Sequence, residues 1–455
     1  MTALRDLVHA ARKLAAARVF AVTAVLTLAL GIGGTTAIFS LIHAVMLKSL
    51  PVVDPGSLYR VGDGTSCCVQ GGPQDRWGMF SYPLYEQIKA ATPEFESIAA
   101  VQAGMARFSA RREGVADAPR PLRGNYVTGS YFSTLGARAA AGRVFTAAGD
   151  AAAATPVVVM ARHTWQGTYG GDPALVGSTL ILDGHPFTLV GVMPSGFFGE
   201  TLQPDPPDLW VPLQQEPLLV GNTSLLKQSI SAWLRVIGRL KPGASIAGMD
   251  ARLTSLLHNW ARHDAGYPVE WMPLIEKVMP QQLIAVVPAG AGVAEMKAEY
   301  GRSLQILLGV CALVLLIACA NVANLLLARS VARRPQTAVR IALGASRGEI
   351  VREALIESLL LAVGGAVAGL IVAITASRLL LSLAFSGVAY LPIDTTPSWP
   401  VLAFASALAV ITGLIFGAAP AWFDTRTDPI EALRGAGRTM GDTSSVTRRA
   451  LLIVQ

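Results

Sequence analysis

Four long stretches without a charged side chain limit what this chain can fold into. They cover residues 19–42, 303–328, 358–377 and 399–423. A helix of about 20 apolar residues crosses the hydrocarbon core of a bilayer, and a helix satisfies its own backbone hydrogen bonds, as lipid requires. The sequence therefore predicts four membrane-spanning helices. A cleaved signal peptide is the alternative for the first stretch, but its long basic lead and long apolar core favour an uncleaved anchor.

The composition and the placement of charge agree with a membrane protein. Of the 455 residues, 52% are hydrophobic and 15% are charged, against about a quarter charged in soluble proteins. The net charge of +7 does not indicate nucleic acid, because the basic residues lie beside the apolar stretches. They occupy the N-terminal arm, the loop 329–353 and the tail 424–455, whereas the loop after the third stretch offers only Arg378. Since cytoplasmic loops are rich in Lys and Arg, we predict an inner-membrane protein with both termini in the cytoplasm.

The region between the first two stretches has a different character. Short β-rich runs and many prolines and glycines replace the apolar blocks, and Thr155–Met160 is typical of a buried strand. Residues 179–192 predict a hairpin that turns at Asp183-Gly184, where positive φ is needed. Helical patterns cover Tyr82–Ala91 and Met249–Trp260. We therefore expect a large mixed α/β domain outside the cytoplasm, big enough to bury its own core.

Motifs that carry chemistry are largely missing from the sequence. There is no phosphate-binding Gly-rich loop that ends in Gly-Lys-Ser/Thr, so ATP is not bound by that route. Gly344–Gly348 matches a hydrolase nucleophile motif, but it lies in a basic loop and no histidine follows His263. His258 and His263 lack metal-binding spacing, and the adjacent Cys67 and Cys68 are either free or paired to another chain. The sequence predicts no catalytic residue, no cofactor-binding residue and no metal site, and hence no enzyme.

Small and polar residues inside the spans indicate helix packing. Glycines four residues apart let helices approach closely in lipid, and polar side chains there face protein. That small residues are merely tolerated in apolar helices is the alternative. The predicted helix-packing residues are Gly365, Gly369, Gly413, Gly417, Asn321 and Asn324.

The basic loop between the second and third spans predicts a short helix. Pro335 suits its first turn and Gly344 its end, which gives a basic helix over Gln336–Leu343. Such a helix can dock into a groove of a soluble partner and carry movement into the bundle. A charge cluster that only fixes the topology is the alternative.

The same loop resembles the coupling segment of MacB/FtsX-family permeases, whose pattern is close to E-x-A-[VI]-R-x-A-L-G-A-S-R. Here it is Gln336-Thr-Ala-Val-Arg-Ile-Ala-Leu-Gly-Ala-Ser-Arg347, with the usual acidic residue replaced near Gln336. Further matches to this family run in order along nearly the whole chain. They are 28–33, 129–136, 142–145, 170–177, 190–194, 239–243, 316–329 and 428–434.

This resemblance implies an ABC-type permease that binds no cofactor itself. A separate ATPase dimer would bind ATP and move the loop, and the spans would relay that motion to a periplasmic domain, so that export or mechanotransmission follows. Implied partners are the ATPase dimer, a second permease unit or copy, and the lipid bilayer. The implied coupling residues are Arg340, Ala342, Leu343, Gly344, Ala345 and Arg347.

Two alternatives stay open at this point. The chain resembles half of the duplicated orphan permeases, and 448–455 resembles the lead-in to a second unit. It is then either a truncated half or a single unit that pairs with another copy. There are also two alternatives to a working permease. The chain is then either a membrane regulator that couples an external domain to a cytoplasmic enzyme without transport, or an inactive fragment of a longer permease.

The predicted fold is a membrane α-helical bundle of four transmembrane helices, with a large extracytoplasmic mixed α/β domain between helices 1 and 2. For residues 1–18, an amphipathic helix on the anionic membrane surface and a solvated lead-in helix are equally compatible. The predicted segments are the cytoplasmic helix 1–18, spans 19–45, 303–328, 354–378 and 398–423, the periplasmic core domain 50–300, the cytoplasmic coupling loop 329–353, and a tail or start of a second unit at 424–455.

Overall fold

The computed structural model describes residues 2–44, 52–62, 78–115, 118–290, 295–343, 346–386, 388, 390 and 397–425. It divides into two compact units. The helical unit comprises Met1–Val45, Tyr300–Ser386 and Ile393–Gln455, and the α/β unit comprises Met46–Glu299 and Gly387–Pro392. Several predictions fall wholly or partly outside the described residues, among them the Cys67–Cys68 pair, the 428–434 motif and the tail 424–455.

The chain forms the following α-helices. They are α1 Thr2–Ala16, α2 Arg18–Ile42, α3 Tyr82–Ala90, α4 Tyr131–Leu135, α5 Arg162–Tyr169, α6 Glu216–Val220, α7 Met249–His263, α8 Met272–Val278, α9 Glu295–Ala342, α10 Arg347–Ala384 and α11 Trp399–Thr425.

The strands form one sheet. They are β1 Leu58–Val61, β2 Phe95–Gln102, β3 Ala106–Arg112, β4 Arg120–Val127, β5 Ala141–Gly142, β6 Val157–Met160, β7 Thr179–Leu182, β8 His185–Val192, β9 Leu209–Pro212, β10 Leu234–Leu240 and β11 Val286–Pro288.

The helical unit contains three described helices that are long and apolar enough to cross a membrane. These are the apolar parts of α2, α9 and α10, at Arg18–Ile42, Gly301–Arg333 and Gly348–Ala384. In α11 the described apolar stretch is shorter, Trp399–Ile415. The count of four spans therefore remains a prediction. Leu28 and Ile32 of α2 are fully buried, as expected for a helix that is apolar on all sides and packed among others.

The α/β unit is built on a sheet that closes on itself. The strand order is β11-β1-β10-β2-β4-β3-β7-β8-β6-β9, and β9 pairs in parallel with β4. The sheet therefore contains a closed ring, which consists of β4, β3, β7, β8, β6 and β9. Because β9 pairs with β4, the sheet has no free strand edge where the ring closes. The predicted hairpin is confirmed, because β7 and β8 pair antiparallel and the turn residues Asp183 and Gly184 have φ of 47° and 89°.

Two apolar clusters form the core of the α/β unit. The larger one gathers β-strand residues with helix α7, and its members include Phe80, Tyr85 and Trp260. The second contains the edge-to-face rings of Phe132 and Trp210, whose centroids lie 6.2 Å apart. Such aromatic pairs add stability beyond the area they bury, so this unit has a core of its own.

The separate short helix predicted for Gln336–Leu343 is not formed. Helix α9 continues through Pro335 without a break to Ala342, and α10 begins at Arg347, so the expected loop 329–353 is mostly helical. Proline removes one backbone donor from a helix interior. Here ion pairs on both sides of Pro335 join α9 to α10, and good helix formers flank the proline, so the helix continues past it.

Candidate functional site

Two carboxylates lie one helical turn apart at the start of α10. The helix begins with a capping box, in which the Ser346 hydroxyl accepts from the Glu349 backbone N–H and the Glu349 side chain accepts from Ser346. This box fixes where the helix starts. Glu353 and Glu357 then follow at intervals of four residues, which places all three acids along one face.

A row of arginines on α9 meets this acidic face. Arg340 Nη1 donates to Glu353 Oε2 at 2.8 Å, and Arg333 Nη1 lies 3.4 Å from Glu357 Oε1. Their seven-residue spacing brings the arginines to the same side of α9. Because Glu357 is buried, loss of its partner would leave a buried charge uncompensated, which is costly.

Helix α1 joins the same network. The Lys13 ammonium pairs with Glu353, so Glu353 is shared between a residue of α1 and a residue of α9. The Arg329 guanidinium donates to the Lys13 carbonyl oxygen at 3.3 Å and lies 4.7 Å from the ring centroid of Phe20, within cation–π range. The ends of α1, α9 and α10 are thereby tied together.

The predicted coupling residues that the structure describes lie at the tip of this arrangement, meaning the end of α9 and the start of α10. Arg340 is part of the network, and the Leu343 side chain, just past the end of α9, is 84% exposed. Ala342 ends α9 and Arg347 begins α10, but their side chains lie outside the described part. Gly344 and Ala345 lie wholly outside the described residues. The tip thus presents an apolar side chain beside a partly exposed arginine.

Three residues of this network were not predicted from the sequence: Lys13, Glu353 and Glu357. A signal for the two acids was present, since they stand four residues apart at the start of a strongly apolar helix, opposite arginines with helical spacing. No local pattern indicates Lys13, which is 340 residues away from Glu353 in the sequence.

The packing glycines differ in their surroundings. A Cβ at Gly365 would lie 2.6 Å from Leu28 Cβ, one at Gly369 would lie 3.1 Å from the Gly33 nitrogen, and one at Gly413 would lie 3.1 Å from Ala362 Cβ. Helix α10 thus approaches α2 at backbone distance through Gly33 and Gly369. The surroundings of Gly417 lie outside the described part, and Asn321 and Asn324 are partly buried.

The segment that follows α10 contributes a second contact, within the α/β unit. The Tyr390 ring stacks on the His163 ring with centroids 4.3 Å apart and planes 6° from parallel. The Tyr390 N–H donates to Asp205 Oδ1 at 2.8 Å, and the Asp205 N–H donates to the Tyr390 carbonyl at 2.9 Å. Neither Tyr390 nor its partners were predicted from the sequence.

Asp208 orients the histidine in this contact. Its Oδ1 lies 3.1 Å from His163 Nε2 and 2.5 Å from the Thr164 hydroxyl, and its Oδ2 accepts the Arg123 N–H. Burial raises the pKa of Asp208, but the hydrogen bonds from His163, Thr164 and the Arg123 backbone outweigh burial and hold the pKa below its usual range. Asp208 is therefore an ionised anchor for the stacked ring.

The possible metal ligands and free thiols in the part of the chain that the structure describes do not form a metal site. No group of three His, Cys, Asp or Glu residues there could hold an ion. Cys319 is buried and Cys311 partly buried among apolar neighbours in the helical unit, where a thiol behaves as a small hydrophobic side chain.

Comparison with known families gives two matches that together cover most of the chain. Residues 21–256 match the MacB-like periplasmic core domain, and residues 308–429 match the FtsX-like permease C-terminal domain. The first match alone spans more than half of the 455 residues.

Curated relatives agree with these matches. The chain is 27% identical over 310 residues to the pyoverdine export ATP-binding/permease protein PvdT of Pseudomonas syringae, covering 68% of this chain and 40% of that protein. It is 26% identical over 306 residues to the macrolide export ATP-binding/permease protein MacB of Sodalis glossinidius, covering 67% and 42%. The chain thus spans about two fifths of the length of these relatives. The periplasmic region of MacB from Actinobacillus actinomycetemcomitans is 11% identical, covers 59% of this chain and 97% of that one, and has a TM-score of 0.34.

Proposed function

Because the chain belongs to the MacB/FtsX family of ABC transporter permeases, we propose that it is the permease subunit of an export or mechanotransmission system. In this proposal a separate ATPase dimer binds ATP and docks at the tip between α9 and α10. The permease relays the resulting motion to the α/β unit, which lies outside the cytoplasm. The chain itself binds no cofactor, and both of its termini are cytoplasmic.

The ion pairs of Glu353 and Glu357 carry this proposal. They join the tip-bearing end of α9, and Lys13 of α1, to the start of α10. Several partly buried pairs that share one carboxylate hold helices in register better than isolated exposed pairs do. A push on Arg340 or Leu343 is therefore transmitted to α10 as a displacement of the helix.

The other end of α10 supports the second half of the relay. Helix α10 ends at Ala384, and Tyr390 follows six residues later as part of the α/β unit. Two hydrogen bonds join the Tyr390 backbone to the Asp205 carboxylate and the Asp205 N–H, and with the stacked ring they hold Tyr390 in place. Movement of α10 along its axis would thus pull on a short segment that is anchored in the α/β unit.

A second permease unit or a second copy of this chain is the partner proposed within the membrane. Helix α9 exposes Ile306, Leu313, Val314 and Leu316 on the described surface of the helical unit, each at least half exposed. Apolar residues that lack a partner within the chain face either lipid or another helix. We propose that a paired unit covers this face of α9.

Site-specific crosslinking tests where the ATPase docks. A photoreactive amino acid at Leu343 is expected to crosslink an ATPase in intact membranes, while the same group at Val367 of α10, which is 64% exposed in the apolar span, is not. The exchange of Arg340 and Arg347 for glutamate should abolish co-purification of that ATPase, because an acidic tip repels the surface that a basic tip binds. Unchanged association of the double variant would refute docking at this tip.

A further inference from the structure

A cavity of about 310 Å³ opens between the ends of α1, α9 and α10. Its volume lies at the lower limit of ordinary ligand pockets, which are about 300–1,000 Å³. The charged residues that line it are Lys13, Arg329, Arg333, Arg340, Glu353 and Glu357. All of them belong to the helical unit.

The charges of the lining do not balance. Lys13 and Arg340 share Glu353, and Arg333 faces Glu357. The Arg329 guanidinium donates to the Lys13 carbonyl oxygen and lies over the Phe20 ring, and its Nη1 is buried without a hydrogen-bond partner among the described residues. Four cationic and two anionic side chains leave the lining with an excess of positive charge, and a buried guanidinium N–H without an acceptor favours a nearby anion.

The position of the cavity along the helices identifies the source of that anion. The uncharged stretch of α9 ends at Ala328, one residue before Arg329, and that of α10 begins at Ser358, one residue after Glu357. The cavity therefore lies where hydrocarbon gives way to lipid headgroups. Helix α1 leaves Leu7 and Val8 more than one third exposed, as expected for a helix that lies on a bilayer surface.

We propose that this cavity binds the phosphate headgroup of an anionic phospholipid. The phosphate oxygens accept hydrogen bonds from the guanidinium of Arg329 and its cationic neighbours, and the acyl chains extend along the apolar faces of α9 and α10. Basic pockets between helices at the cytoplasmic side suit such headgroups, since that leaflet carries anionic lipid. Binding requires neither an ATPase nor a transported substrate, so it stands apart from the proposed function. Only the choice of leaflet depends on the proposed orientation.

Lipid binding to the purified full-length chain tests this proposal. The chain in a neutral detergent is titrated with phosphatidylglycerol, phosphatidylcholine or inorganic phosphate, and bound lipid is counted by native mass spectrometry. Phosphatidylglycerol is expected to bind in preference to phosphatidylcholine. Arg329→Gln should weaken it about tenfold, the loss expected for one charge-assisted hydrogen bond. Arg12→Gln removes the same charge from an exposed position of α1 and should change binding by less than about twofold.

A second variant keeps every charge and fills the space. Ala354→Phe places a ring into the cavity lining and should also abolish preferential binding, even if Arg329→Gln fails to fold. Equal losses in Arg12→Gln and Arg329→Gln would mean general surface attraction and overturn the site. Unaltered binding in Ala354→Phe would overturn the cavity as its location. Full displacement of the lipid by inorganic phosphate would assign the cavity to a free anion instead of a lipid.

Discussion

Replacement of Gly33 by alanine should loosen the helical unit, whereas the same change at the neighbouring Gly34 should not. A Cβ at Gly33 would lie 2.7 Å from the Gly369 carbonyl oxygen and 2.8 Å from Val372 Cβ, both on α10. A Cβ at Gly34 would meet nothing within 4 Å. The two glycines follow one another in α2, so they share the same helix and the same depth in the bilayer.

The size of the effect follows from this difference in surroundings. Extra atoms forced into a packed site cost about 1–3 kcal/mol. Both variants gain helix propensity, about 1 kcal/mol for a Gly-to-Ala change, and that gain cancels between them. The helical unit of Gly33→Ala should therefore open more easily than that of Gly34→Ala by about 1–3 kcal/mol, which corresponds to an opening equilibrium about 5- to 150-fold larger.

The buried thiol of Cys319 reports this opening. Cys319 is 5% exposed in the core of the helical unit, so a maleimide reaches it only when the helices separate. In a background with Cys67, Cys68 and Cys311 changed to serine, its labelling rate in mild mixed detergent measures the population of the opened state. Equal rates for the two glycine variants would refute close α2–α10 packing at this position.

Two further predictions concern the contact of Tyr390. Tyr390→Ala removes the stacked ring but keeps the backbone pair with Asp205, so the Asp205 amide should exchange with solvent about 2- to 10-fold faster, as the loss of about 0.5–1.5 kcal/mol predicts. Tyr390→Phe keeps the ring and should exchange like the wild type, and an unaltered rate in Tyr390→Ala would contradict the anchoring role. The pKa of Asp208 is lower in the folded than in the unfolded state, so its ionised form stabilises the α/β unit above about pH 4 and this stabilisation is lost as pH falls through the folded pKa. In Asp208→Asn, the free energy of unfolding should therefore fall less steeply as the pH is lowered than it does in the wild type. An equally steep fall in the variant would contradict the stabilising role of the ionised carboxylate.

Much of the α/β unit was predictable where a local rule decides the outcome. Asp183 and Gly184 stand between two apolar runs, and the turn they form needs positive φ at both positions, which Gly adopts freely and Asp tolerates. The strand at Val157–Met160 is fully buried, as its unbroken apolar run indicates. The closure of the sheet through the β4–β9 pair was not predictable, since the local sequence of a strand does not specify which distant strand it pairs with.

The loop after the second span shows where local rules mislead. Pro335 is a strong signal for a helix start, and it predicted a separate helix at Gln336–Leu343. The arginines on either side of it, Arg333 and Arg340, instead pair with Glu357 and Glu353 on α10. Those tertiary pairs hold one continuous helix, and no propensity scale includes them.

By itself the sequence determined the membrane class, the presence of an independent α/β domain and the family. The length of each uncharged stretch and the arginines beside it decide whether that stretch crosses the membrane, independently of the other stretches. The reason is the free energy cost of placing a charge or an unpaired backbone group in lipid. Only the tertiary structure decided which residues connect the segments. Lys13 meets Glu353 across 340 residues, and Tyr390 meets Asp205 across 185. Such contacts depend on how whole elements pack, because their partners are chosen by geometry that no stretch of sequence encodes alone.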